Sequence, residues 1–197
     1  MANVNRLGGF RPVKHLNGSP YNGAARLYEI VAGDGTAVNV GDLVKTDSGT
    51  ATDNYPTCVR LAASGEVTSG LILGSVVGMV VDPTNLNVPQ YRAASTKRMV
   101  WVADSPDLIF ECADGATTPV TQTQIGLNCG VQATAPNTTT SGTSQMTTGN
   151  TAPTTTVTLP LKIVSIVSSP DNTAGAAYQR LHVMINQHAM GQGTVGV

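Results

Sequence analysis

Few residues in this chain are of a type that does chemistry, and the carboxylates come first. Asp104, Asp107, Glu111 and Asp114 lie close together in the sequence. Two such groups facing each other could act as acid and base on a glycosidic bond, and several together could ligate calcium. Their spacing matches no EF-hand loop, and Asp107 and Asp114 stand where turns favour aspartate. Asp104 with Glu111 is the one hydrolase pairing left. His15, His182 and His188 make no HxH or HxxxH pattern, so their spacing offers no metal site. No serine sits in a GxSxG elbow, and no GxxxxGK[ST] loop occurs. Cys58, Cys112 and Cys129 are odd in number and contain no CxxC pair. They read as buried thiols in a reducing compartment rather than as a zinc site or a disulfide framework. Aromatics are only 4% of the chain, so basic patches with interleaved rings are absent. A sugar-binding face would have to draw on Trp101 or the tyrosines at 21, 28, 55, 91 and 178, and Trp101, in mid-strand, is expected in the core. The chain reads as a non-enzyme with no catalytic residue, metal or cofactor.

The elements that must position these residues are strands. With 197 residues the chain can bury a proper core. It is 41% hydrophobic but only 12% charged, about half the usual charged share. Such a surface is neutral and polar, or partly covered by neighbouring subunits. The net charge of −1 gives no drive toward nucleic acid or acidic membranes. The first residues lack an apolar segment, so no secretory signal is expected, and the glycosylation patterns opening at Asn17 and Asn137 are then chance matches.

The most apolar stretch, residues 70–82, carries glycines at 70, 74 and 78. That spacing suits close helix packing in a membrane, but a spanning helix needs roughly 20 apolar residues. Branched Ile72, Val76, Val77, Val80 and Val81 instead predict buried strand, with the glycines serving bends and close packing. Further strands are expected at 27–31, 38–45, 58–62, 97–104, 108–112, 157–167 and 180–186, separated by Gly-, Pro- and Asp-rich turns. Residues 97–104 and 108–112 are expected to pair as a hairpin, and Pro160 to mark an edge or a bulge. Residues 120–124 fit either a short helix or a loop. No segment keeps a 3.6-residue apolar period. The fold class is all-β, a sandwich or barrel. Residues 1–26 form an extended N-terminal arm, 27–190 a single β domain with a long Thr/Ser-rich surface loop at 133–156 in which 143–147 offer a short pairing segment, and 191–197 a flexible tail. The arm has two open readings: a poorly ordered terminus, or a basic arm lying on an acidic neighbouring surface.

Several stretches in order carry a family resemblance. They are residues 6–21 around Gly8-Gly9-Phe10-Arg11-Pro12, then Val40-Gly41-Asp42-Leu43-Val44-Lys45, the run 70–82, and residues 90–96. Val100-Trp101-Val102-Ala103-Asp104-Ser105-Pro106-Asp107 follows, then 125–128, Leu159-Pro160-Leu161-Lys162-Ile163, Ser169-Pro170-Asp171-Asn172 and 183–188. Together they resemble the head decoration, or cement, proteins of tailed bacteriophages. The resemblance implies a jelly-roll-like domain on the outer surface of a virion, made in the host cytoplasm. Its partners would be the major capsid protein and further copies of itself, as a dimer before a trimer, with no nucleic acid or membrane. The capsid contacts implied are Arg6, Phe10, Arg11, Lys14, His15 and Tyr21 on the arm. Deleting residues 1–20 should then weaken attachment and leave the β domain folded. The alternative is a carbohydrate-binding or receptor-contacting head-fibre module.

Overall fold

Alternation of apolar and polar side chains builds the first sheet. The computed structural model describes residues 3–5, 7–49, 51, 53–87, 89–138 and 142–191. Five antiparallel strands lie in the order β1(Arg11–His15), β8(Leu108–Ala113), β13(Arg180–Ile185), β12(Leu161–Ile166), β9(Asn128–Cys129). In β13, Leu181, Val183 and Ile185 are buried while the residues between them are half-buried, as a period of two requires. They meet Leu108, Phe110, Leu161 and Ile163 in one core. Each such side chain contributes roughly 1.5–3 kcal/mol by leaving water.

A second five-stranded sheet has the order β2(Arg26–Ile30), β7(Arg98–Ala103), β6(Gly74–Met79), β3(Leu43–Thr46), β4(Cys58–Arg60). It curls until its ends approach. The Glu29 N–H donates to Pro56 O (2.9 Å), and Glu29 bridges Thr57, just before β4, in parallel. Tyr28, Ile30, Val44, Val76, Val100 and Val102 fill the inside of the curl as a second core. The opposite face of this sheet joins the first core through Leu43 and Ala103. Leu43 and Val44, adjacent on β3, therefore serve different cores. A third sheet is small, with the order β11(Thr147–Thr148), β10(Val131–Ala133), β5(Gly65–Val67). All three sheets are antiparallel, and the fold is an all-β sandwich. The only helical turn among the described residues is a 3-10 turn at Gln122–Gln124.

Four expectations from the sequence are corrected. β7 and β8 do not form a hairpin: β7 pairs with β2 and β6, β8 with β1 and β13. Val100 and Val102 belong to one core and Leu108 and Phe110 to the other, so the chain changes sheets at Asp104–Asp107. Pro106, lacking an N–H, cannot continue a ladder there. Trp101 is not in the core but 41% exposed, because its neighbours Val100 and Val102 take the inward positions. The segment read as an arm is extended, yet residues 11–15 are an edge strand of the chain's own first sheet, and Phe10 is in the core. A tight turn (His15 N–H to Ser19 O, 2.8 Å) then bridges Pro20 back onto Lys14. Finally, residues 133–156 are not all surface loop. Met146 is buried in the first core, Ser144 is buried beside β3, and β11 pairs with β10.

Pro160 lies just before β12 and accepts from the Asn186 N–H (2.8 Å), while the bulge falls later, between Ile163 and Ser165. The run 70–82 yields β6, with a bulge between Val76 and Gly78. β9 is flanked by a bridge to Thr154, with reciprocal bonds of 2.8 and 2.9 Å. Of the tail, the residues after Gly191 lie outside the described residues. No helix among the described residues is long and apolar enough to cross a membrane.

Candidate interaction groove

A backbone crossing sets the site. Gly9, at φ 65°, lies so close to the turn before β3 that a Cβ there would meet Gly41 O at 2.2 Å. That contact holds residues 8–10 against the turn. The Phe10 N–H donates to Gly41 O (2.9 Å), and Ser75 Oγ donates to Phe10 O (2.6 Å). The Phe10 ring seals the first core from this side. Beside it the bulge in β6 turns Val77 outward toward the same core.

The result is a groove of about 500 Å³ lined by Phe10, Arg11, Pro12, Tyr21, Val40, Val76, Val77 and Thr143. It continues past Val77 into a hollow of about 350 Å³ formed by Gly23, Ala25, Gly78 and Trp101. Gly78 is registered opposite Trp101, so nothing covers that face of the indole from the neighbouring strand. Arg11 is the only charged residue lining the two hollows among the described residues. Tyr21 Oη donates to Ala24 O (3.0 Å), and burial, helped by the Asp104 charge, raises the Tyr21 pKa.

Of the residues singled out from the sequence, Phe10, Arg11 and Tyr21 come together here. Lys14 and His15 do not line the groove; His15 Nδ1 lies 3.0 Å from Asp107 Oδ2. Arg6 lies outside the described residues. Sequence reasoning misses Trp101 by placing it in the core, although the valines that flank it signal an outward position; the bulge at Val77 has no such signal.

The carboxylates each have a structural partner. Tyr28 Oη donates to Asp104 Oδ2 (2.7 Å), and Arg26 approaches the same oxygen at 3.5 Å. Asp107 accepts from Ser105 Oγ (2.6 Å), which with His15 lowers its pKa. Glu111 pairs with Arg180 at 3.6 Å. Among the described residues no group of three His, Cys, Asp or Glu is placed to hold a metal. The three cysteines are buried, and burial pushes the Cys58 and Cys129 thiols up to about 12, which keeps them from the reactive thiolate form.

The histidines carry a pH dependence. Burial lowers the pKa of His182, with Lys14 and Arg180 adding to it and Glu111 opposing. Burial also lowers that of His188, against the pull of Asp104, and its Nδ1 already accepts from the Met190 N–H (2.9 Å). In both, the folded chain favours the neutral imidazole more than the unfolded chain does, whose histidines take up protons near 6.5. The unfolded state thus binds more protons as pH falls below that value, and stability falls with it. Calorimetric melting from about pH 8 to about pH 5 should show a plateau, then a decline. His188→Gln should flatten part of the decline. A melting temperature that is constant across this range would contradict it.

The fold is all-β, and among the described residues the groove at Phe10 and the hollow at Trp101 together form an apolar trough. Comparisons with protein-family models, curated proteins and solved structures return no match.

Proposed function

We propose that the chain is a decoration, or cement, protein of a tailed-phage head, bound to the outer surface and bridging major capsid subunits. One observation carries this reading. Four separate stretches with the family resemblance supply the lining of one groove: Phe10, Arg11 and Tyr21 from residues 6–21, Val40 from 40–45, Val77 and Gly78 from 70–82, and Trp101 from 100–107. Stretches far apart in sequence converge on a single apolar surface. The low charge of the chain favours cover by a neighbouring subunit, and a half-exposed Trp is a common anchor of protein interfaces. Attachment at many equivalent sites adds avidity without demanding a tight single contact. The partners are the major capsid protein and further copies of this chain, as a dimer in preference to a trimer.

The head-fibre alternative with Trp101 as a sugar platform is less well supported. Gly23, Ala25, Val77 and Gly78 around the indole offer no polar side chain to a hydroxyl.

The test adds purified protein to undecorated heads and measures sedimentation and heat-driven DNA release. Binding and a higher release temperature are expected; heads that neither bind nor gain heat resistance would refute the proposal. Truncation of residues 1–20 is not the variant to use, since it removes β1 and Phe10 and so breaks the fold. Trp101→Ala should weaken attachment by about tenfold or more and leave the melting temperature unchanged.

A further inference from the structure

We propose that a second groove, on the outer face of the three-stranded sheet, binds a neutral carbohydrate. Val131 and Ala133 of β10 point into the first core, which turns Gln132 between them to the opposite face. There it lines a groove of about 370 Å³, within the usual range for small-ligand sites. Asn5, Gln145 and Asn150 line the same groove.

These four carboxamides differ from most others in the molecule. Elsewhere amides tie the fold together: Asn39 to Asn137, Asn172 to Val167 and Arg180, Asn186 to Leu159, Gln179 to Asp114 and Val120. Asn5 and Asn150 are exposed and Gln145 is half-buried, so their amides face the open groove. The Gln132 Oε1 is shielded from solvent and has no partner among the described residues. A row of amides, each able to donate and accept, suits vicinal hydroxyls.

Among the described residues the lining contains no lysine, arginine or histidine. The one carboxylate, Asp114, is turned inward and accepts from the Ala116 and Val120 N–H groups, Thr148 Oγ1 and Gln179 Nε2. The aromatic needed to stack a sugar ring is Tyr178, 48% exposed at the groove. Its φ of 59° lies in the left-handed region, a conformation that a bulky residue adopts only when held there.

The test is saturation-transfer NMR on the full chain with lactose, maltose, mannose and N-acetylglucosamine, and with sialyllactose as a charged probe. At least one neutral sugar should take up saturation, and sialyllactose should bind no better than lactose. Tyr178→Gly removes the ring and relieves the backbone, so it should lose the signal by about tenfold without lowering the melting temperature. Gln132→Leu should weaken the signal as well, and Trp101→Ala should leave it intact. Tighter binding to a lipopolysaccharide O-chain than to its free repeating unit would identify a cell-surface source; equal binding would identify a free sugar. Absence of binding by every neutral sugar, or binding unchanged in both Tyr178→Gly and Gln132→Leu, would overturn the proposal. Neither result bears on capsid attachment.

Discussion

Replacing Asp42 with alanine should cost roughly 3–5 kcal/mol, a large part of the stability of an ordinary domain. Asp42 is fully buried, and Arg60 is 4% exposed. Arg60 Nε donates to Asp42 Oδ2 at 2.7 Å and Nη2 to Oδ1 at 3.2 Å. The carboxylate also accepts from the Asn39 N–H (2.9 Å) and Ser144 Oγ (2.5 Å). The guanidinium reaches onward to the carbonyls of Ala62, Ala63 and Thr134. One ion pair thus ties β3 and β4 to the segment carrying Ser144 and Met146. Removing the carboxylate leaves a guanidinium charge in the interior with only carbonyls around it, and that uncompensated charge is the main cost. The double variant Asp42→Leu with Arg60→Met removes both charges and should recover much of the loss. Chemical denaturation of Asp42→Leu, Arg60→Met and the double variant gives the coupling directly. If Asp42→Ala shifts the midpoint no more than a surface substitution does, the network has no such role.

Gly74→Ala should cost about 3 kcal/mol, and Gly74→Val at least as much. A Cβ at Gly74 would stand 2.1 Å from Ala103 O and 2.9 Å from its carbonyl carbon. These are backbone atoms of the neighbouring strand, with no flexible side chain to move aside. The clash can be relieved only by opening the β6–β7 ladder, beside Val76 and Val102 in the second core. Gly78 is the internal control. An added Cβ there meets only the Trp101 side chain, at 3.7 Å, so Gly78→Ala should be nearly silent. Thermal melting of both variants checks the contrast. Equal melting temperatures would show that the close approach at Gly74 is not limiting.

The strands were legible where alternation was strong. Residues 98–103 and 180–185 alternate around branched residues, and both are strands. Strand pairing was less legible, because it depends on which core each strand face meets. Pro106 ends a ladder, but nothing between Asp104 and Leu108 distinguishes a hairpin turn from a change of sheet. Arg92 shows the same limit. Its side chain is wholly buried, donating to the carbonyls of Val31, Asp34, Thr36 and Thr96. Burial lowers its pKa, with Asp34 opposing. Three of those carbonyls are 56 to 61 residues away in the sequence, so no local pattern marks this arginine as interior. The groove was half legible. Phe10, Arg11 and Tyr21 stood out, but the outward turn of Val77 comes from a bulge that only the β6–β7 register defines.

The bridges at the sheet margins bear on how any partner can approach. Pro20 lies against Lys14 of β1, Thr154 against Asn128 of β9, and Thr57 against Glu29 of β2. Each occupies part of a ladder that would otherwise present unpaired N–H and C=O groups to the outside. At these margins an incoming peptide finds hydrogen-bonding positions already taken, and strand addition is blunted, whether by a partner or by a second copy growing into a fibre. At these margins recognition is left to side chains rather than to strand addition.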